Sequence, residues 1–169
     1  MTFVVRFLFF VFLFACNTAF AQEYEVPAKL PSTREEFASS EKDVIAAAKW
    51  LESKPIGSEM EKRVKVNAWV LGWIVSSPSV SIEINAAFAK LFEKNPHLNI
   101  VWMAGYSRYV LENNDSPDKI RANMAGLKSV IHCYNLGGDL KKDKALAKMM
   151  DADRDGRLED WVKEALTKK

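Results

Sequence analysis

Three aspartates near the carboxyl end of the chain stand at every second position, and a glycine follows the last of them. They are Asp151, Asp153 and Asp155, with Gly156 next. Calcium is a hard cation that takes about six to eight oxygen ligands, and carboxylates on a tight turn can converge on it. Glycine permits the sharp bend of such a turn. The spacing therefore predicts a calcium site over residues 151–162, with a stabilising role.

The run Asp-x-Asp-x-Asp-Gly resembles the calcium loop of EF-hand proteins and related bacterial loops, over about a dozen residues. The resemblance implies that the carbonyl of Arg157 supplies another oxygen. It fails at the last ligand position, where EF-hands have a bidentate glutamate and this chain has Val162. Glu159 or Asp160 would have to substitute, so the implied dissociation constant is weak, roughly 10⁻⁴ to 10⁻³ M.

A second interpretation of the same residues needs no metal. Asp155 and Gly156 also form an ordinary turn between helices, and Glu159 and Asp160 would suit the positive end of the last helix. Solvent and salt screen the repulsion between exposed carboxylates. Calcium is thus the one cofactor that the sequence suggests, and both interpretations stay open.

Aromatic residues recur at the spacing of buried helix positions. We expect most tryptophans to pack in the core; they are Trp50, Trp69, Trp73, Trp102 and Trp161. One segment combines aromatic rings with a cation, and we predict that it lines any ligand groove. Its residues are Trp102, Tyr106, Tyr109 and Arg108. Arg108 would hold an anionic group there or form a local ion pair.

Residues for catalysis are few. The chain has two histidines, His97 and His132, and neighbouring Cys133 would point about 100° away from His132 on a helix. No nucleophile elbow, CxxC, HExxH or phosphate-binding glycine loop is present. We therefore predict no catalytic residue and favour a non-enzymatic protein. The alternative is a small helical hydrolase that acts on cell-wall glycan or peptide through unidentified carboxylates.

Helix boundary signals divide the body of the chain. Thr33 and Glu36 form a capping box for a first helix that runs towards Lys54–Pro55. A second helix is predicted over Ser58–Ser76, and its half from Ala68 to Val75 is apolar on all sides except for Gly72, which predicts central burial. A buried strand is the alternative for that run.

The remaining boundaries are marked by proline and glycine. They are Asn95–Pro96, Ser116–Pro117–Asp118 and Gly137–Gly138. We expect Asn95 to cap the helix that follows it, and apolar residues between Ile84 and Phe92 to form a helix before it. No alternation of period two occurs. The predicted fold is all-α, a single domain of about six or seven helices packed as a bundle or as stacked helical hairpins.

The amino terminus is typical of an export signal. Residues 1–21 place Arg6 before an apolar run and end in Ala19-Phe20-Ala21. The run is shorter than the roughly 20 residues that span a bilayer, so we expect cleavage after Ala21 and a periplasmic or secreted protein without a transmembrane anchor. The alternatives are an uncleaved anchor and lipidation at Cys16, which ends a lipobox-like Leu-Phe-Ala-Cys run.

The predicted mature chain consists of an extended arm over residues 22–31 and a helical domain over 32–169, in which 139–169 form a helix–loop–helix with an acidic loop. Its 23 basic and 22 acidic residues nearly cancel, which argues against nucleic-acid binding. Cys133 would be its only cysteine, so packing must stabilise the domain.

These features predict a non-enzymatic module that binds a protein, a peptide or an envelope component. The short signal, the arm and the aromatic helical body resemble small exported helical proteins of Gram-negative bacteria, a resemblance that implies no particular activity. A purely structural partner in an envelope complex is a further alternative. It predicts an apolar surface patch larger than monomers usually expose.

Overall fold

Seven α-helices and no strand make up the part of the chain that this computed structural model describes, residues 24–115 and 118–168. The all-α prediction is confirmed. The helices are α1 (Arg34–Ser53), α2 (Met60–Ser76), α3 (Ala86–Leu91), α4 (His97–Glu112), α5 (Lys119–Leu136), α6 (Lys144–Arg154) and α7 (Leu158–Thr167). The predicted signal at 1–21 and the Ser116–Pro117 pair lie outside the described residues.

Local capping chemistry starts two helices near the boundaries that the sequence predicts. The Glu36 amide donates to Thr33 Oγ1 at 3.2 Å while the Glu36 carboxylate accepts from the Thr33 amide, so the predicted capping box at α1 is confirmed. Asp118 accepts from the Arg121 amide at 3.0 Å and begins α5. Each cap satisfies an amide that the helix itself leaves unpaired.

Two predicted helix starts are wrong: a contact between loops engages Asn95, and a local cap begins α3 after Ile84. Asn95 does not cap α4; its side chain donates to the Lys141 carbonyl at 2.9 Å and accepts from the Lys141 amide at 2.7 Å. α4 begins one residue later than expected, with Pro96 at its N-cap. Ile84 stays outside α3, whose cap is Asn85. The side-chain amide of Asn95 thus joins the loop before α4 to the loop before α6.

The centre of the fold is the pair α4 and α5, which share the most extensive helix–helix contact; α1 packs on both. Two glycines let these helices approach closely. A Cβ on Gly126 would lie 2.5 Å from the Trp102 carbonyl oxygen, and one on Gly105 would lie 2.2 Å from Ser129 Oγ. Both distances are below any real contact, so glycine is required for this crossing.

The links after α1 and α5 are tied to each other. The Ile56 amide donates to the Gly137 carbonyl at 3.1 Å, and the Asp139 amide donates to the Ile56 carbonyl at 2.7 Å. Arg63 of α2, only 1% exposed, donates to the Lys54 carbonyl at 3.0 Å. A buried cation thereby caps backbone oxygens that α1 leaves without partners.

Residues 24–30 contain no helix or strand and lie along α2. The indole of Trp69 donates to the Lys29 carbonyl at 3.1 Å. Leu30 covers Gly72, since a Cβ there would lie 2.7 Å from Leu30 Cδ1. The arm is thus in contact with one edge of α2.

Candidate functional site

The acidic run at the carboxyl end is mostly helical. Asp151 and Asp153 belong to the last turns of α6, which continues through Arg154. Arg154 pairs with Asp151 at 2.9 Å, and Arg157 pairs with Asp155 at 2.7 Å. These carboxylates are therefore neutralised by cations of their own segment.

The helix also separates the predicted calcium ligands. Residues two apart on a helix point about 200° away from each other, so Asp151 and Asp153 diverge. Glu159 pairs with Lys163 at 2.6 Å. Among the described residues, no group of three acidic, histidine or cysteine side chains is placed to hold a metal. The geometry thus separates the expected ligands Asp151, Asp153, Asp155, Arg157 and Glu159.

α6 extends through Arg154, so it includes the first four residues of the segment that the sequence assigns to the loop. Asp143 caps the helix by accepting from the Ala145 amide at 2.6 Å. Its buried stripe, Leu146, Met149 and Ala152, extends past the first aspartate. Alternating aspartates carry no information about this packing, so the boundary could not be placed from the motif.

The aromatic segment of α4 belongs to the core. Trp102 is fully buried and stacks on Phe88 with ring centroids 4.7 Å apart, and Tyr106 is 4% exposed. The Tyr106 hydroxyl donates to the Ser81 carbonyl at 3.1 Å. The expectation that Trp102 and Tyr106 line a ligand groove is corrected: the centre of α4 is enclosed on all sides. Tyr109 is partly buried against the same core.

The tryptophan prediction is otherwise confirmed. Four of the five tryptophans are buried, namely Trp50, Trp69, Trp73 and Trp102. The fifth, Trp161, is partly buried against the core. Their helical spacing therefore reflects packing.

Arg108, the fourth predicted groove residue, takes part in a polar contact between three helices. Its guanidinium pairs with the Glu52 carboxylate of α1, and the other Glu52 oxygen accepts from Ser129 Oγ of α5 at 2.6 Å. Glu112 lies 3.8 Å from Arg108 and 3.1 Å from Lys49. Glu52 and Ser129 were not predicted, because single polar residues in amphipathic helices have the same sequence pattern as surface positions.

A cavity of about 370 Å³ lies over this contact, and Ala125, Lys128 and His132 complete its lining. A serine hydroxyl beside a carboxylate is one half of a nucleophile–base arrangement. Here Arg108 neutralises the carboxylate, and Ser129 is only 4% exposed. The three groups therefore hold α1, α4 and α5 together. Glu52 is paired, so it is not the free buried glutamate that a hydrolase would need.

Cys133 is a buried thiol. It is fully enclosed, and its Sγ lies 3.6 Å from the Leu51 carbonyl oxygen. Burial, together with the nearby Glu52 charge, raises the pKa of the Cys133 thiol from 9.0 to about 12. A protonated, enclosed thiol is a poor nucleophile. This position therefore adds to packing.

An exposed apolar face runs along α2 and was not predicted. We call it the α2 apolar face; its residues are Met60, Val64, Ala68, Leu71 and Val75. At 100° per residue these positions fall within roughly 80° of arc. Val75 is 76% exposed and Val64 59% exposed. The prediction of central burial for this helix holds for its inner side alone, which carries Trp69, Val70, Trp73 and Ile74.

Shallow cavities adjoin this face where the arm meets α2. One of about 630 Å³ involves Glu25, Val26 and the start of α2, and another of about 560 Å³ runs from Val26 to Leu30. Both include Val26 and Lys65, so the two cavities adjoin each other. Met60 lines the first and Ala68 the second, so both cavities border the α2 apolar face.

Comparison of the chain with protein-family models, curated proteins and solved structures found no significant match. Among the described residues, no helix combines the length and apolar character needed to cross a bilayer.

Proposed function

We propose that this protein is a non-enzymatic protein-binding module whose docking surface is the α2 apolar face. One observation carries the proposal. Of seven large apolar side chains that are exposed in the described residues, five lie on this face or beside it. They are Leu30, Met60, Val64, Leu71 and Val75. Isolated exposed apolar residues are ordinary, whereas a contiguous row marks an interaction site.

The energy available from this face suits reversible binding. Full burial of a valine or leucine side chain is worth about 1.5–3 kcal/mol. Several such side chains are needed to exceed the cost of association, which is roughly 4–15 kcal/mol. A partner that covers the whole row would therefore gain a modest net affinity. A partner that covers only Val75 would not bind measurably.

The proposal includes export, on the basis of residues 1–21. Cleavage after Ala21 would release the domain into the periplasm or outside the cell, and acylation of Cys16 would instead attach it to a membrane. In both cases the partner is an envelope or extracellular protein. The hydrolase alternative has less support, because Glu52 is paired with Arg108.

Photo-crosslinking in the native host tests the proposal. A photoreactive amino acid at Val75, the most exposed of the large apolar side chains on the face, should yield a discrete covalent protein adduct. The matched control carries the same amino acid at Lys148, an exposed position of α6. Equal adducts at both positions, or none at Val75, would contradict the proposed surface.

A further inference from the structure

We infer that the partner of the α2 apolar face is a second copy of this chain, bound through an antiparallel pair of α2 helices. This inference rests on the proposed function and specifies its partner. It follows from the order of residues along the face, which is self-complementary when one helix is reversed. An interface of this kind uses the same patch on both copies and closes after two.

The register of the antiparallel pair is set by the sequence. Val64 and Val75 are equidistant from the midpoint between Trp69 and Val70, and so are Ala68 and Leu71. A two-fold axis at that midpoint places Val64 opposite Val75 of the second copy. It also places Ala68 of each copy opposite Leu71 of the other copy. Small residues opposite large ones fill space without a void.

A parallel pair would pack less well. In a parallel pair Ala68 would face Ala68 of the second copy, which leaves a gap. Leu71 would face Leu71 of the second copy, which crowds the next level. Size complementarity along α2 therefore favours the reversed orientation. The spacing of Val64, Ala68, Leu71 and Val75, alternately four and three residues, is that of a helix-pair seam.

Charge supports the same orientation. Glu61 and Lys65 lie at the start of α2 and pair with each other at 2.8 Å, whereas the end of the helix carries the uncharged Ser76 and Ser77. In a parallel pair, the charged start of one α2 helix would lie beside the charged start of the other. Reversal instead places the two Glu61–Lys65 pairs at opposite ends of the helix pair, so they do not face each other.

The apolar area continues beyond the helix. Leu30, 48% exposed, lies over Gly72 next to Leu71 and adds to the surface that a second copy would cover. Two single helices still bury less than the roughly 800 Å² per partner of a standard interface. We therefore expect a weak dimer whose population rises over micromolar to millimolar concentrations.

Cysteine crosslinking tests the orientation. Three full-length variants are compared in a Cys16→Ser background: Val64→Cys, Val75→Cys, and both together. Cys133 is buried and is retained. Positions 64 and 75 are about 16 Å apart along the helix, so a short bifunctional maleimide bridges two copies of the double variant in an antiparallel pair. Neither single variant should be bridged. Circular dichroism checks that each variant is folded.

The outcomes separate the inference from the proposed function. Efficient dimer crosslinking of the double variant alone, with light scattering that shows a dimer of the unsubstituted chain at high concentration, supports the inference. Efficient bridging of either single variant overturns the antiparallel register. A monomer at every concentration overturns the dimer.

If the Val75 photo-adduct then has the mass of the chain plus a different protein, the protein-binding function stands and the second copy is ruled out. Sedimentation with phosphatidylglycerol vesicles that is lost in Leu71→Asp would assign the face to lipid and overturn both.

Discussion

The contact between α4 and α5 and the turn between α6 and α7 place polar residues in opposite ways. At the first, glycines bring two helices together and Glu52 joins Arg108 to Ser129 across three elements. At the second, Asp151 and Asp155 pair with arginines a few residues away, in solvent. The turn has the more recognisable motif, yet its charges satisfy each other locally. The central contact has no motif, and it connects the fold.

A glycine substitution in each region should show the largest difference in stability. Gly126→Ala forces a methyl group to within 2.5 Å of the Trp102 carbonyl oxygen, so α4 and α5 must separate. We expect a loss of about 3 kcal/mol in the free energy of unfolding, measured by urea denaturation. Gly156→Ala in the turn meets open space and strains the backbone only through its φ of +72°, which costs about 1 kcal/mol. Equal losses would refute the contrast.

Removal of one carboxylate from each region should show the next largest difference. Glu52→Ala removes the carboxylate that Arg108 and Ser129 share, and we expect a loss of about 2 kcal/mol. Arg108 then keeps only the more distant Glu112 at 3.8 Å, and Ser129 keeps the Ala125 carbonyl at 3.1 Å. Glu159→Ala removes an exposed pair with Lys163 and should change stability by less than about 0.5 kcal/mol. Thermal and urea unfolding measure both. The idea of a connecting contact fails if Glu52→Ala is as mild as its control.

Alkaline pH should weaken the central region through Cys133. The folded-state pKa of this thiol, about 12, lies above its ordinary value of 9.0. The folded chain therefore holds the proton more tightly, and its contribution to stability is complete below pH 9 and is lost as pH rises towards 12. We expect a loss on the order of 1 kcal/mol at pH 10.

Cys133→Ala is the control for this pH dependence. It should flatten the fall in stability between pH 8 and pH 10, measured by urea denaturation at each pH. Burial also raises the pKa of Tyr106, so a residual slope is expected above pH 10. Identical profiles for the two chains would show that ionisation of the thiol is not coupled to unfolding.

Calcium should have the smallest effect, if the turn binds it as the sequence predicts. A site with a dissociation constant of roughly 10⁻³ M contributes about 0.4 kcal/mol at 1 mM calcium. The ion would have to displace Arg154 and Arg157 from the aspartates. The thermal midpoint in 1 mM calcium and in chelator is compared for the unsubstituted chain and for Asp153→Asn. A midpoint that calcium leaves unchanged in the unsubstituted chain would remove the calcium prediction.

Features that depend on neighbouring residues were predictable from the sequence. The capping box at Thr33 and the end of α5 at Gly137 are set within a few residues, and both agree with the structure. Features that depend on distant contacts were not predictable. Asn95 was predicted to cap α4, but its side chain bonds both the amide and the carbonyl of Lys141. The aromatic residues of α4 were predicted to line a groove, but α3 and α5 enclose them.

The α2 helix shows the same limit for the candidate site. Its apolar run indicates a helix with extensive burial, but the run cannot show that its outer side faces solvent, because burial depends on what packs against each face. Once that side is known to be exposed, the order of its residues becomes informative about a partner.

The sequence by itself determined the helical class, the approximate element boundaries and a core rich in tryptophan, because capping, turns and apolar periodicity act over one or two helical turns. The tertiary structure decided which polar residues meet and which apolar face is left open. Glu52 and Ser129 are 77 positions apart, and only the packing of α1 against α5 brings them within 2.6 Å.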